Sequence, residues 1–122
     1  MGAIRELPGL HVTLDELVAV PPDSEDAPRR FVYFLTIHND SSETVTIKGR
    51  KWVVAESNGQ TLVVEGDGVV GEFPRLEPGE EFSYNSSHAI TSDAVANGSL
   101  LGLTDAGEAV VAALPEFEMR WS

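Results

Sequence analysis

The sequence predicts an all-β protein, an antiparallel β-sandwich of immunoglobulin or fibronectin type III shape with about seven strands. Three observations carry this reading. Short runs rich in β-branched and aromatic residues follow one another along the chain, helical periodicity is poor throughout, and turns containing Gly or Pro separate the runs. The 122 residues read as one domain, residues 1–122, with no internal repeat, low-complexity tract or linker. A chain of that length buries about two thirds of its extended surface, enough for a single cooperative core.

Leu10 to Val20 alternates with Leu10, Val12 and Leu14 on one side, although Leu14–Val18 also fits one helical turn. The stretch from Pro21 to Pro28, with three prolines and three acids, is a solvated connection. Phe31–Asn39 is the most aromatic strand and is expected to be central, and Asn39–Ser42 is a turn. Val45 to Glu56 forms a long strand. Asn58-Gly59 then marks a hairpin of type I′, which needs positive φ at both centres, before the strand Thr61–Glu65. Glu77-Pro78-Gly79-Glu80 reads as a type II turn. Glu81–Asn85 is a strand, and a polar loop is expected from about Ser86 to Asn97. Ser99–Leu103 and Ala109–Leu114 flank Asp105-Ala106-Gly107 as a second hairpin.

Between Gly66 and Gly71 the chain carries the G-x-G-x-x-G spacing that, at the start of a helix, seats a pyrophosphate. A strand precedes it, but Pro74 and Pro78 forbid the helix that must follow. Two readings of this loop remain. Its glycines present backbone N–H groups to an anion in a concave nest, or they serve positions that need positive φ.

The net charge of −12, from 20 acidic and 8 basic residues, opposes nucleic acid and anionic membranes. Lys48, Arg50 and Lys51 form a local basic cluster, and strand alternation places Lys48 and Arg50 on one face and Lys51 on the other. Cysteine is absent, so disulfides and thiolate metal sites are excluded. The first ten residues lack the apolar run of a signal peptide, and the expected location is the cytoplasm. The Asn-x-Ser strings at Asn39, Asn85 and Asn97 are accordingly read as turn chemistry.

Arg50-x-Trp52-Val53-Val54, Asn58-Gly59, and the string from Val64 through Gly66, Gly68, Gly71, Pro74, Pro78 and Gly79 to Tyr84 and Ser86 resemble the ApaG domain family. The similarity runs on through Gly98–Gly102, Gly107 and Pro115-x-Phe117, covering roughly residues 10 to 120. The resemblance implies a fibronectin type III-like sandwich without an established catalytic mechanism. It also implies protein-binding roles, a link to cobalt resistance and magnesium efflux, and a glycine motif proposed to bind pyrophosphate or nucleotide phosphates. The chain departs from the family pattern at Ile90–Asn97, which lacks a Thr-Pro pair, and at Leu103, which replaces an aromatic residue.

His11, His38 and His88 show no ligand spacing and read as turn or edge positions, and Ser86-Ser87 lacks a nucleophile-elbow pattern. Asp23, Glu25 and Asp26 form a solvated acidic loop rather than a calcium loop. Trp52 is expected in the core, and Trp121 over one end of the sandwich. Arg50 shares the face of Trp52, so it either reaches the glycine loop and neutralises a phosphate or extends to a surface carboxylate. The expectation is a non-enzymatic interaction module with no metal site and no cofactor, engaging a protein partner or a second copy through loops and a sheet edge. The alternative is a phosphate binder in which Gly66, Gly68 and Gly71 hold pyrophosphate or a nucleotide, aided by Arg50, Lys51 and Arg75.

Overall fold

The structure is a computed structural model that describes residues 3–121. Its strands are β1 (Arg5–Glu6), β2 (Leu10–Val20), β3 (Arg29–Asn39), β4 (Val45–Glu56), β5 (Thr61–Asp67), β6 (Arg75–Leu76), β7 (Glu81–Ile90), β8 (Ala94–Thr104) and β9 (Ala109–Met119). One sheet has the order β1-β9-β8-β4-β5, with β6 also paired to β4, and the other has the order β2-β3-β7. The seven longer strands are the expected sandwich. The two-residue β1 and β6 escape sequence reading, and β1 pairs with β9 in parallel. No helix among the described residues is long and apolar enough to cross a membrane.

The core forms where the inward faces of the two sheets meet. Tyr33, Leu35 and Ile37 of β3 pack against Ile47, Trp52 and Val54 of β4 and Leu100 of β8, all at most 2 % exposed. Trp52, Tyr33 and Phe117 make an edge-on aromatic cluster with centroids 5.1–5.6 Å apart. The core role expected of Trp52 holds. Trp121 is half-buried, with the Arg29 guanidinium 5.0 Å above its ring.

Several sequence expectations are corrected by bulges and by polar inward residues. The helical turn at Leu14–Val18 is instead a β-bulge at Asp15, where the β2–β3 register shifts between Leu14 and Glu16. One extra residue converts the period-2 pattern into an i, i+3 step, so that Leu14 and Leu17 both pack on the core. The loop expected from Ser86 to Asn97 is mostly strand, because β7 runs to Ile90 and β8 starts at Ala94. Its inward positions include His88, Ala94 and Ala96, all buried but small or polar, which hides the alternation. His88 is therefore not in a turn: it lies on β7, an edge strand of the smaller sheet, with its side chain buried in the core.

The Asn58-Gly59 hairpin forms, with a different turn. Gly59 N–H donates to Glu56 O and Glu56 N–H to Gln60 O, and only Gly59 has positive φ, at 93°. This is a three-residue loop ending in a left-handed glycine, and Asp105-Ala106-Gly107 repeats it between Thr104 and Glu108. The turn at Pro78-Gly79 closes through Glu80 N–H to Glu77 O, with Gly79 at φ 89°, as expected for type II.

Asn39 follows the most buried part of β3 and is itself fully buried. Its Nδ2 donates to the carbonyls of Glu43 and Leu76, both at 2.8 Å, and its Oδ1 accepts from Ser41 Oγ at 2.6 Å. This side chain ties the β3–β4 turn to β6, just after the glycine-rich segment.

Candidate functional site

One edge of the larger sheet is β5, paired with β4 alone. Gln60 O accepts from Glu56 at one end of the strand, and Gly68 N–H donates to Lys48 O at the other. Antiparallel alternation between those two points turns the backbone polar groups of Leu62, Val64 and Gly66 toward β4. Those of Thr61, Val63, Glu65 and Asp67 face outward. Leu62 and Val63 are 45 % and 50 % exposed, and neither Pro nor a bulge interrupts the strand. An uncovered edge of this kind is a template for another strand.

The glycine-rich segment continues from β5 into a tight hairpin. Val69 and Glu72 exchange two backbone hydrogen bonds of 2.9 Å around Val70-Gly71, whose φ values are 45° and 80°. Positive φ at both centres makes this a type I′ turn. Val70, a β-branched residue, is strained there and 47 % exposed, and Phe73 just beyond is 52 % exposed.

Arg50 holds the base of this hairpin. A bulge between Ile47 and Gly49 shifts parity, so Ile47 and Arg50 share the inward side while Lys48 is exposed. The expectation that Lys48 and Arg50 share a face is thereby corrected. Arg50 lies opposite Gly66, and a Cβ at Gly66 would stand 2.6 Å from Arg50 Nη1. Over the bare glycine the guanidinium donates to the carbonyls of Asp67 and Gly68, at 3.1 and 3.2 Å. Among the described residues no carboxylate lies within ion-pair distance of it, whereas Arg5, Arg75 and Arg120 are all paired.

The structure thus brings Arg50, Gly66 and Gly68 together and leaves the other expected phosphate ligands apart. Lys51 is on the opposite face of β4, 3.4 Å from Glu65. Arg75 is bound to Asp105 at 2.7 Å and to Glu77 at 3.5 Å. The Gly68 amide is spent on Lys48, and the Gly66 amide is directed at β4. Gly71, at the exposed tip of the turn, has nothing within 4 Å of where a Cβ would be. Lys48 Nζ stands 5.8 Å from the centre of the Phe73 ring.

Near Arg50 the interior holds polar groups in apolar surroundings. Burial raises the Tyr33 phenol above its usual range, opposed by a hydrogen bond with Ser86 and the Arg50 charge. Burial raises Tyr84 further, and its hydroxyl has no partner among the described residues. The His88 ring lies 4.8 Å from Tyr33, tilted by 33°, and 5.3 Å edge-on to Trp52, and burial pushes its pKa down to about 4.

On the outer face of the smaller sheet, His11 and His38 are direct cross-strand partners with parallel rings 4.8 Å apart. His38 Nδ1 meets the Glu81 carboxylate at 3.1 Å, and Nε2 meets Thr13 Oγ1 at 3.0 Å. Thr13 and Thr36 both donate to Asp15, at 2.9 and 2.5 Å, and Thr36 Oγ1 is 2.8 Å from Ser83 Oγ. These bonds hold the Asp15 carboxyl below its usual range, the Thr36 bond foremost. Linear spacing gives no sign of the histidine pair, because only the β2–β3 register brings the two together.

The family model of the ApaG domain matches residues 21–102. Protein ApaG of Vibrio cholerae is 39% identical over 90 residues, which are 73% of this chain and 71% of that protein. Protein ApaG of Xanthobacter autotrophicus is 37% identical over 112 residues, 90% of this chain and 86% of that protein. These relatives carry the name ApaG and no enzymatic one. A crystal structure from Bordetella pertussis, described as an ApaA protein, has a TM-score of 0.85 at 25% identity and covers 97% of both chains. A Bacteroides uniformis β-glucuronidase shares the fold alone, at TM-score 0.58 and 11% identity over 14% of that chain.

Proposed function

The chain belongs to the ApaG domain family, and on that footing we propose that it is a non-enzymatic interaction module that binds an extended segment of a partner protein along the free edge of β5. The observation that carries this reading is the edge itself. The outward backbone groups of Thr61, Val63 and Glu65 stand beside the exposed side chains of Leu62 and Val63. Backbone pairing supplies the affinity in strand addition, and alternate side chains supply the choice of partner. Glu65, Asp67 and the net charge of −12 select a segment with Lys or Arg at alternate positions. A role in divalent-cation homeostasis would be exercised through that partner rather than by catalysis.

The test uses displayed random peptides panned against the full chain and, in parallel, against Val63→Pro. Proline at 63 removes an outward N–H and leaves the β4–β5 ladder intact. Enrichment of basic, alternating sequences that bind the unaltered chain and fail on Val63→Pro supports the reading. Equal binding to both proteins refutes it. Self-association abolished by Val63→Pro would make the occupant a second copy.

The phosphate reading keeps one observation in its favour, the half-buried Arg50 guanidinium without a carboxylate partner. With Lys51 and Arg75 engaged by carboxylates and the Gly68 amide used, the site is reduced to Arg50 and the amides at the Val70-Gly71 tip. Amide shifts on pyrophosphate addition that vanish in Arg50→Ala would support it, and unshifted amides at millimolar pyrophosphate would end it.

A further inference from the structure

We propose that His11, His38 and Asp40 form a binding site for a borderline divalent transition-metal ion, such as Zn²⁺, on the outer face of the β2–β3 pair. One donor atom from each of the three residues lies within 4.8 Å of the others. Two imidazoles and a carboxylate are the donor set that such ions take, with the remaining position left to water. A tetrahedral site with bonds of about 2.1 Å needs donors about 3.4 Å apart, so the widest separation of 4.8 Å must close by about 1.4 Å. The His11 and Asp40 side chains are 51% and 63% exposed and free to turn inward.

The backbone around the site is already fixed. His11 and His38 are held opposite each other by the β2–β3 register, and Asp40 N–H donates to Gly9 O at 2.8 Å. The two strand ends that carry the ligands are therefore tied together without the ion. An outer shell is also in place. Glu81 sits 3.1 Å from His38 Nδ1, and on the ligand side Asp40 Oδ2 already stands 3.7 Å from His11 Nδ1. A carboxylate in the Glu81 position orients a metal-bound imidazole and fixes its tautomer.

The polar chain beyond His38 can release it at little cost. Thr13 has one hydroxyl hydrogen and two neighbours, Asp15 and His38 Nε2. When an ion takes Nε2, that hydrogen remains on Asp15, and no polar group is left without a partner. The net charge of −12 raises the local concentration of any cation.

The experiment titrates the full chain with ZnCl₂ and, separately, MgCl₂, reading heat and the ¹⁵N-edited imidazole signals. One Zn²⁺ per chain is expected, with the His11 and His38 signals shifted and the buried His88 signals still. His11→Ala and Asp40→Asn, at exposed positions outside the core, should each weaken Zn²⁺ binding about tenfold or more. Mg²⁺ should leave the imidazoles unchanged. Zn²⁺ affinity unaltered in both variants would overturn the proposal. So would imidazole shifts that Mg²⁺ reproduces, or a stoichiometry of one ion per two chains.

Discussion

Arg50 and Gly66 face each other across the β4–β5 ladder, and the guanidinium occupies the space that a side chain at Gly66 would need. The glycine is there for the arginine, because Nη1 crosses it to reach the carbonyls of Asp67 and Gly68. Gly66→Ala is expected to displace the guanidinium and to cost about 1–2 kcal/mol, the worth of those two charge-assisted bonds. Arg50→Ala should cost about the same. In the Arg50→Ala background, Gly66→Ala should be neutral or slightly stabilising, since a strand gains from losing a glycine. Urea unfolding of the four proteins measures the cycle, and additive costs would contradict this pairing.

Val70 is a non-glycine residue with positive φ at the exposed tip of the type I′ turn. Val70→Asn should stabilise the chain by about 1 kcal/mol, because asparagine tolerates that conformation and a β-branched side chain does not. A thermal midpoint that falls in this variant would show that the Val70 side chain contributes packing that its exposure does not suggest.

Asn39→Ala removes, at a fully buried position, the donor shared by the carbonyls of Glu43 and Leu76. The expected loss is about 2–4 kcal/mol, read as a lowered denaturation midpoint, because buried acceptors are left without partners. The sequence marks this residue only as a turn former, and burial makes it a structural tie.

His88 sets an acid limit on stability. Its pKa is about 4 in the folded chain against 6.5 for the ordinary side chain, so the unfolded chain binds a proton first as pH falls. Stability is therefore full above about pH 6.5 and declines down to about pH 4, by about 3 kcal/mol in total. The depressed carboxyls of Asp15 and Glu56 add losses in the lower, carboxylate range. Burial works against the Glu56 shift, and the hydrogen bonds from Thr91 and Ser92 outweigh it. Unfolding free energy followed from pH 7 to 4 should slope downward in the unaltered chain and be flatter in His88→Leu. Parallel slopes would contradict this assignment.

The strands that sequence patterning placed well are those with an apolar inward face. The pattern bounds β4 at Val45 and Glu56 by its own residues and by the Asn58-Gly59 turn. It stops short on β7 and β8 because His88, Ala94 and Ala96 look like loop residues until the opposing sheet buries them. The bulges at Asp15 and Lys48 change which face a side chain takes, and they follow from pairing registers rather than from composition. For Arg50 the sequence leaves two routes open, to the glycine loop or to a surface carboxylate, and the side chain takes the first. Its use of backbone carbonyls and the separation of Lys51 and Arg75 required the three-dimensional pairing. The His11–His38 pair is likewise a product of register.

Docking of a strand on the outward edge of β5 is read residue by residue through amide exchange. The probe is an enriched basic peptide from the Val63→Pro-controlled panning, added to the full chain. With a strand docked on β5, the amides of Thr61, Val63 and Glu65 become protected by the peptide, while those of Leu62 and Val64, already bonded to β4, change little. Protection confined to another surface, or even- and odd-numbered β5 amides slowed alike, would contradict it.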